Sequence, residues 1–315
     1  MNVGPLLKPL TVALSLVMVS PAVAQDTSTL KVRVKVKSQS FTVGEPILLE
    51  VYLANDGAVA VELDAAFSGD TASGGIRLWV AEGVDKEENY KEFPIPGISA
   101  LFSTRGLEGE QHRRQPVPLQ SKSNIAHLVL LTPMASPLLE EAYPFAKAGT
   151  FFIRATYREG GKEDRAKSDG SLKITLAEAT EAGDKAIGEL LLDKAKAYLK
   201  CGVVHNLRGD RTQEEVRKEL EKSIATYPKS ALAKHLTYLL ARTYHHTDSK
   251  AVELYDTLTG CEGFALRGVA FVEEAACRKR CTDVDGAYLK VKELKKQLPE
   301  DPAPRAALNH WMRGN

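Results

Sequence analysis

From Leu30 the chain alternates, with Val32, Val34 and Val36 interleaved between Lys31, Arg33, Lys35 and Lys37. A period of two places an apolar row and a basic row on opposite faces of a strand. The same period runs through Ile47, Leu49, Val51 and Leu53, and Asn55-Asp56-Gly57 then supplies turn residues before Val59, Val61 and Leu63 resume it. A hairpin is expected there. Further strands are expected at 75–81, 124–131, 149–158 and 171–176. Six or more short strands predict a β-sandwich over residues 25–178. The stretch 83–122, with Pro94, Pro96, Pro116 and Pro118, reads as a loop long enough to carry function.

After Glu178 the period changes to that of helices, opening with Ile187, Leu190 and Leu191, and Ala, Leu, Lys, Glu and Arg dominate to the end. Helices are expected at 184–200, 212–227, 230–246, 248–259, 263–279, 284–298 and 303–313, an all-α domain over 179–315. Pro228 and Pro299 each end a helix and lie 71 residues apart, which is two repeats of about 35.

Two resemblances follow. VGEPILLEVYLANDG and KAGTFFIRATY resemble segments of bacterial immunoglobulin-like modules, over about 150 residues. The helical half resembles a divergent tetratricopeptide-repeat array. Leu240, Ala241 and Tyr244 match the first helix of its pattern and Ala251 and Tyr255 the second. Phe264, Gly268 and Phe271, then Ala287, Val291 and Pro299, match the next unit, and Val216, Leu220, Ser223 and Pro228 the preceding one. Arg267, Leu258 and Leu294 depart from it. The resemblance implies an immunoglobulin-like β-sandwich followed by stacked helical hairpins whose first helices line a groove, so that His235, Arg242, His246 and Arg267 would contact a protein or peptide partner.

The N-terminus changes the compartment. Lys8, the apolar run Leu10 to Val19 and the small-x-small triplet Ala22-Val23-Ala24 read as a signal peptide over 1–24, cleaved after Ala24. The run is too short to span a bilayer, and no cysteine follows it to carry lipid. Export to the periplasm or beyond is expected. Without Lys8 the 42 basic side chains fall to 41, equal to the 41 acidic ones. A neutral chain has no excess to neutralise phosphates, so nucleic acid is not an expected partner.

In an oxidising compartment Cys201, Cys261, Cys277 and Cys281 are candidates for disulfides. A helix over 263–279 would hold Cys261 more than about 20 Å from the later two, against a Cα limit of about 7 Å. That leaves Cys201 with Cys261, and a local Cys277–Cys281 pair. Their spacing does not suit zinc, and no metal or cofactor is expected. Asp283-Val284-Asp285-Gly286 fails as a calcium loop because Cys281 and Lys292 fall where carboxylates must coordinate. Gly-x-Ser-x-Gly, His-Glu-x-x-His and the phosphate loop are absent. An exported, non-enzymatic binding or scaffold protein is the expectation, with a secreted inhibitor or regulator acting through the sandwich loops as its alternative.

Overall fold

A computed structural model describes residues 29–63, 74–93, 117–131, 143–159, 163–192, 213–244, 249–281 and 283–297. The expected signal segment 1–24, the helix at 303–313, Cys201 and His246 lie outside the described residues. The chain carries both β-sheets and helices. Among the described residues eleven strands come first: β1 (Leu30–Lys35), β2 (Ser40–Thr42), β3 (Ile47–Asn55), β4 (Val61–Leu63), β5 (Gly74–Glu82), β6 (Lys91–Phe93), β7 (Val117–Leu119), β8 (Ser123–Leu131), β9 (Gly149–Glu159), β10 (Asp164–Lys167) and β11 (Leu172–Ala177). Six α-helices follow among the described residues: α1 (Ala182–Leu192), α2 (Gln213–Thr226), α3 (Ala233–Thr243), α4 (Ser249–Thr259), α5 (Arg267–Arg280) and α6 (Val284–Gln297).

One sheet has the order β1-β3-β8 and a second β2-β11-β9-β5-β6, with β10 added on β9. They share one core, to which β3 sends Ile47, Leu49, Val51 and Leu53, as its alternation predicts. The expected hairpin from β3 to residues 59–63 does not form. Both edges of β3 are taken, by β1 (Val32 opposite Leu53) and by β8 (Leu49 opposite Val129), so β4 pairs with β7 instead. That pairing also corrects the reading of 83–122 as one loop, since the segment contains β6 and β7.

Asn55 organises the crossover. Fully buried, its Nδ2 donates to the carbonyls of Val59 at 2.8 Å and Leu119 at 3.1 Å, and its Oδ1 accepts from the Gly57 amide at 2.9 Å. Asn55→Ala leaves the buried Leu119 carbonyl without this donor and is expected to cost about 2 kcal/mol, read as a lower urea midpoint. An unchanged midpoint would show that β4 and β7 hold their places without it.

The basic row of β1 lies at the edge of its sheet. Lys31 and Arg33 each sit 3.4 Å from Asp56, and Lys35 lies over the Tyr52 ring. Charge along an edge strand resists edge-to-edge pairing.

Leu48, on the opposite face of β3, meets the helices. Leu48 with Leu128 and Leu130 of β8 belongs to the helical core, beside Ile187, Leu232 and Leu236. Beyond that contact α2 packs on α3, α3 on α4, α4 on α5 and α5 on α6, while α1 touches α3. Leu240, Ala241, Ala251, Tyr255, Phe264 and Phe271 are all buried. Asp283, set aside as a calcium ligand, caps α6: its Oδ1 accepts from the Gly286 amide at 2.9 Å.

Candidate functional site

Helix α3 carries two of the residues expected to line a groove. Its apolar positions, Leu236, Leu239 and Leu240 among them, bury it deeply, and His235 goes in with them at 5% exposure. His235, expected to contact a partner in a groove, is instead sealed between helix and sheet. Its ring meets Phe264 edge-on, 5.1 Å between centroids, and its Nε2 lies 3.8 Å from Glu45 Oε1 in the β2–β3 turn. Burial, with Lys234 beside it, holds its pKa down at about 4.

Arg267 is likewise committed elsewhere. Its Nε donates to the Thr259 carbonyl at 2.7 Å, at the end of α4, and its guanidinium lies 5.4 Å from the Phe271 ring centroid. A cation on the last carbonyls of a helix meets the negative end of its dipole. Arg267 is a joint between α4 and α5, not a side chain presented to a partner.

Arg242 is half-buried near the end of α3, its guanidinium 6.0 Å from the Tyr238 ring centroid. Tyr238 in turn meets Tyr255 of α4 edge-on at 6.0 Å. Burial pushes the Glu273 carboxyl of α5 upward, and Arg242 and Arg280 oppose that rise. Burial also raises both phenols, and Glu273 nearby pushes each the same way. The Cys277 thiol is pushed up to about 12 by burial and by Glu273. Such a thiol stays protonated near neutrality and is a poor nucleophile. Arg242 thus stands beside the buried phenol of Tyr238, and its charge and that of Glu273 both reach Tyr238 and Tyr255.

The four expected groove residues are thus not brought together. His235 lies at the contact with the sheets, Arg267 at the α4–α5 joint and Arg242 by Glu273, and His246 is outside the described residues. Glu273 and Tyr238 were not singled out by sequence, although Tyr238–Arg242 and Glu273–Cys277 are both spaced one helical turn apart.

The cysteines are corrected too. Cys261, Cys277 and Cys281 are thiols rather than members of disulfides. Cys277 is buried in the helical core, and the Cys281 amide donates to the Cys277 carbonyl at 2.9 Å, keeping their turn helical. A regular turn does not favour an i to i+4 disulfide. Cys261 Sγ donates to the Thr257 carbonyl at 3.3 Å. Among the described residues no three His, Cys, Asp or Glu side chains are grouped to hold a metal ion, and no helix is long and apolar enough to cross a membrane.

A second polar cluster fixes the start of the 83–122 segment. Asp85 accepts from Tyr90 at 2.6 Å, Ser171 at 2.5 Å and Arg154 at 2.8 Å, and Arg154 also reaches Glu87 and lies over the Tyr90 ring. These bonds hold the Asp85 carboxyl below its usual range, and Tyr90 is pushed up to about 12 by burial and by its bond to Asp85.

No family model and no curated protein matches the chain. Solved structures give partial likenesses. A β-glucosidase from Erythrobacter marinus is 12% identical over 47% of this chain and 16% of its own, with a TM-score of 0.25. The sporulation control protein Spo0M from Bacillus subtilis is 11% identical over 48% of this chain and 50% of its own, with a TM-score of 0.24. The alkylpurine DNA glycosylase AlkC from Pseudomonas fluorescens is 11% identical over 47% of this chain and 30% of its own, also at 0.24. The chain spans half or less of each of these proteins, and likenesses this low carry no argument about fold or activity.

Proposed function

We propose that the protein is an exported binding or scaffold protein of the cell envelope, not an enzyme, whose helical hairpins hold a protein or peptide partner. In this reading residues 25–178 form an immunoglobulin-like sandwich, 179–315 a tetratricopeptide-like array, and 1–24 are removed after Ala24. The observation that carries it is the consecutive packing of α2 through α6, each helix on the next, which is how repeat arrays build an extended binding surface. Burial of Leu240, Ala241, Ala251, Tyr255, Phe264 and Phe271, at the positions of the repeat pattern, supports it further. For the sandwich, the orders β1-β3-β8 and β11-β9-β5 correspond to the A-B-E and G-F-C runs of the immunoglobulin arrangement.

The binding surface proposed is the one around Arg242 and Glu273. A photo-reactive residue at position 242 is expected to give one discrete protein adduct in intact cells, and one at position 35, on the β1 edge, none. No adduct from 242 overturns the groove, and an adduct from 35 alone moves binding to the sheets.

The polar cluster on Asp85 favours a second reading, a regulator of an envelope enzyme acting through 83–122, because it fixes the base from which that segment departs. Replacing 94–116 with a short Gly/Ser linker separates the two. Partner capture survives under the first reading and is lost under the second.

A further inference from the structure

The β2–β3 turn is where the sheets are seated on α1 and α3. Gly44 there has φ +90, and a Cβ on it would fall 2.5 Å from the Gly188 Cα, so the two backbones touch. Beside it Glu45 folds back, its Oε2 accepting from the Thr42 amide at 3.0 Å and its Oε1 facing His235 Nε2 at 3.8 Å. Asp184 of α1 accepts from the Ser230 hydroxyl at 2.5 Å and the Ala231 amide at 2.9 Å, fixing the turn that leads into α3. The other ring nitrogen of His235, Nδ1, is buried with no hydrogen-bond partner among the described residues.

We propose that this junction is an acid-released latch, in which a proton on His235 unseats the Glu45 turn from α1 and α3. A neutral ring needs no acceptor at Nδ1, whereas an imidazolium donates from both nitrogens. One of these would face Glu45 and the other would face no acceptor among the described residues. A buried charged donor left unmet is costly.

Neighbouring groups give the charged ring little help. Lys234, on the same helix, opposes it directly. Glu45 is a reluctant counter-ion, because burial and the nearby Asp184 both push its carboxyl up against one amide bond from Thr42.

The direction follows from linkage. The ring's pKa is about 4 when seated, against 6.5 in water. The unseated form therefore binds the extra proton as pH falls from 6.5 toward 4, and the latch weakens across that window. Glu45 acts in the opposite sense, since a raised carboxyl pKa favours the seated form as pH falls. Its side chain is 23% exposed against 6% for His235, so the histidine dominates.

Amide exchange of the full chain by mass spectrometry, corrected for the intrinsic effect of pH, tests the latch between pH 7 and 4.5. Peptides covering 43–48 and 232–240 are expected to lose protection about tenfold or more on acidification, while a peptide covering 151–157 in β9 keeps its own. In His235→Phe and His235→Gln, neither of which titrates, the tenfold loss is expected to vanish. Either variant that folds suffices. A flat wild-type profile overturns the proposal, as does an undiminished loss in a folded variant or equal loss across β9.

Discussion

Gly44→Ala is expected to destabilise the protein by about 3–5 kcal/mol, the sum of a strained left-handed φ and a backbone collision. The new Cβ would meet three atoms of Gly188, its Cα at 2.5 Å, oxygen at 2.7 Å and carbonyl carbon at 2.9 Å. Backbone has no rotamer to yield, so the sheets must lift from α1 or the helix must shift. Gly188→Ala probes the same contact from the other side, with a Cβ 2.8 Å from the Val43 carbonyl oxygen and no left-handed φ. It is expected to cost about 2–3 kcal/mol. Gly83→Ala isolates the strain alone, having φ +78 and nothing within 4 Å, and should cost about 1 kcal/mol. Urea midpoints of the three variants decide the matter. A loss at Gly44 no larger than at Gly83 would mean that the backbones do not press together there.

Seating of sheet on helix is also where the sequence is hardest to read. The alternation of β3 identifies Ile47, Leu49, Val51 and Leu53 as one face, and that face does enter the inter-sheet core. Leu48 lies between them in an unbroken Ile-Leu-Leu run, and β8 ends in Leu128-Val129-Leu130-Leu131. Continuous apolar runs of this length are the mark of a strand covered on both faces. Alternation therefore finds one partner of each strand and passes over the second. The hairpin fails for a related reason. Asn55-Asp56-Gly57 is a sound turn signal, but a turn signal does not show whether the edge it turns back to is already taken.

In the helical half the burial of each helix is legible, because Leu, Ala and aromatic residues recur at helical spacing. The role of polar residues is not. His235, Arg242 and Arg267 look alike as cations on helices, yet one is sealed under Phe264, one is half-buried near Glu273 and one caps α4. Spacing on one helix fixes which side chains share a face. The neighbour on that face comes from packing between elements far apart in sequence, as with Glu45 and His235, 190 residues apart. Cys277 and Cys281 show the same limit: one turn apart, they allow a local pair on paper, and the helical turn between them keeps them as thiols.

Glu274→Ala is expected to destabilise the helices by about 3–5 kcal/mol, the usual penalty for removing one partner of a buried ionic group. Glu274 of α5 has no exposed surface. Its carboxylate accepts from Arg278 Nε at 2.8 Å and Thr259 Oγ1 at 3.2 Å, and lies 3.3 Å from Lys290 Nζ. Lys290 of α6 also reaches Asp256 of α4 at 3.0 Å, and Arg278 reaches Asp283 at 3.0 Å. Three helices are thereby tied through one carboxylate. Burial nonetheless raises its pKa despite these donors. A raised carboxyl pKa means that the proton is held more readily in the fold than in water, so the contribution of that proton to stability is lost as pH rises through the folded value. Glu274→Gln mimics the protonated group while keeping an acceptor for Thr259, and its cost should be the smaller, about 1–2 kcal/mol. Replacing Glu274 and Lys290 together by leucine and methionine removes the buried carboxylate and its half-buried ammonium partner, and should recover much of what Glu274→Ala loses. Thermal midpoints of the three variants at pH 7 test this order. If Gln costs as much as Ala, the ionised carboxylate stabilises the helices outright, and burial is not what sets its proton affinity.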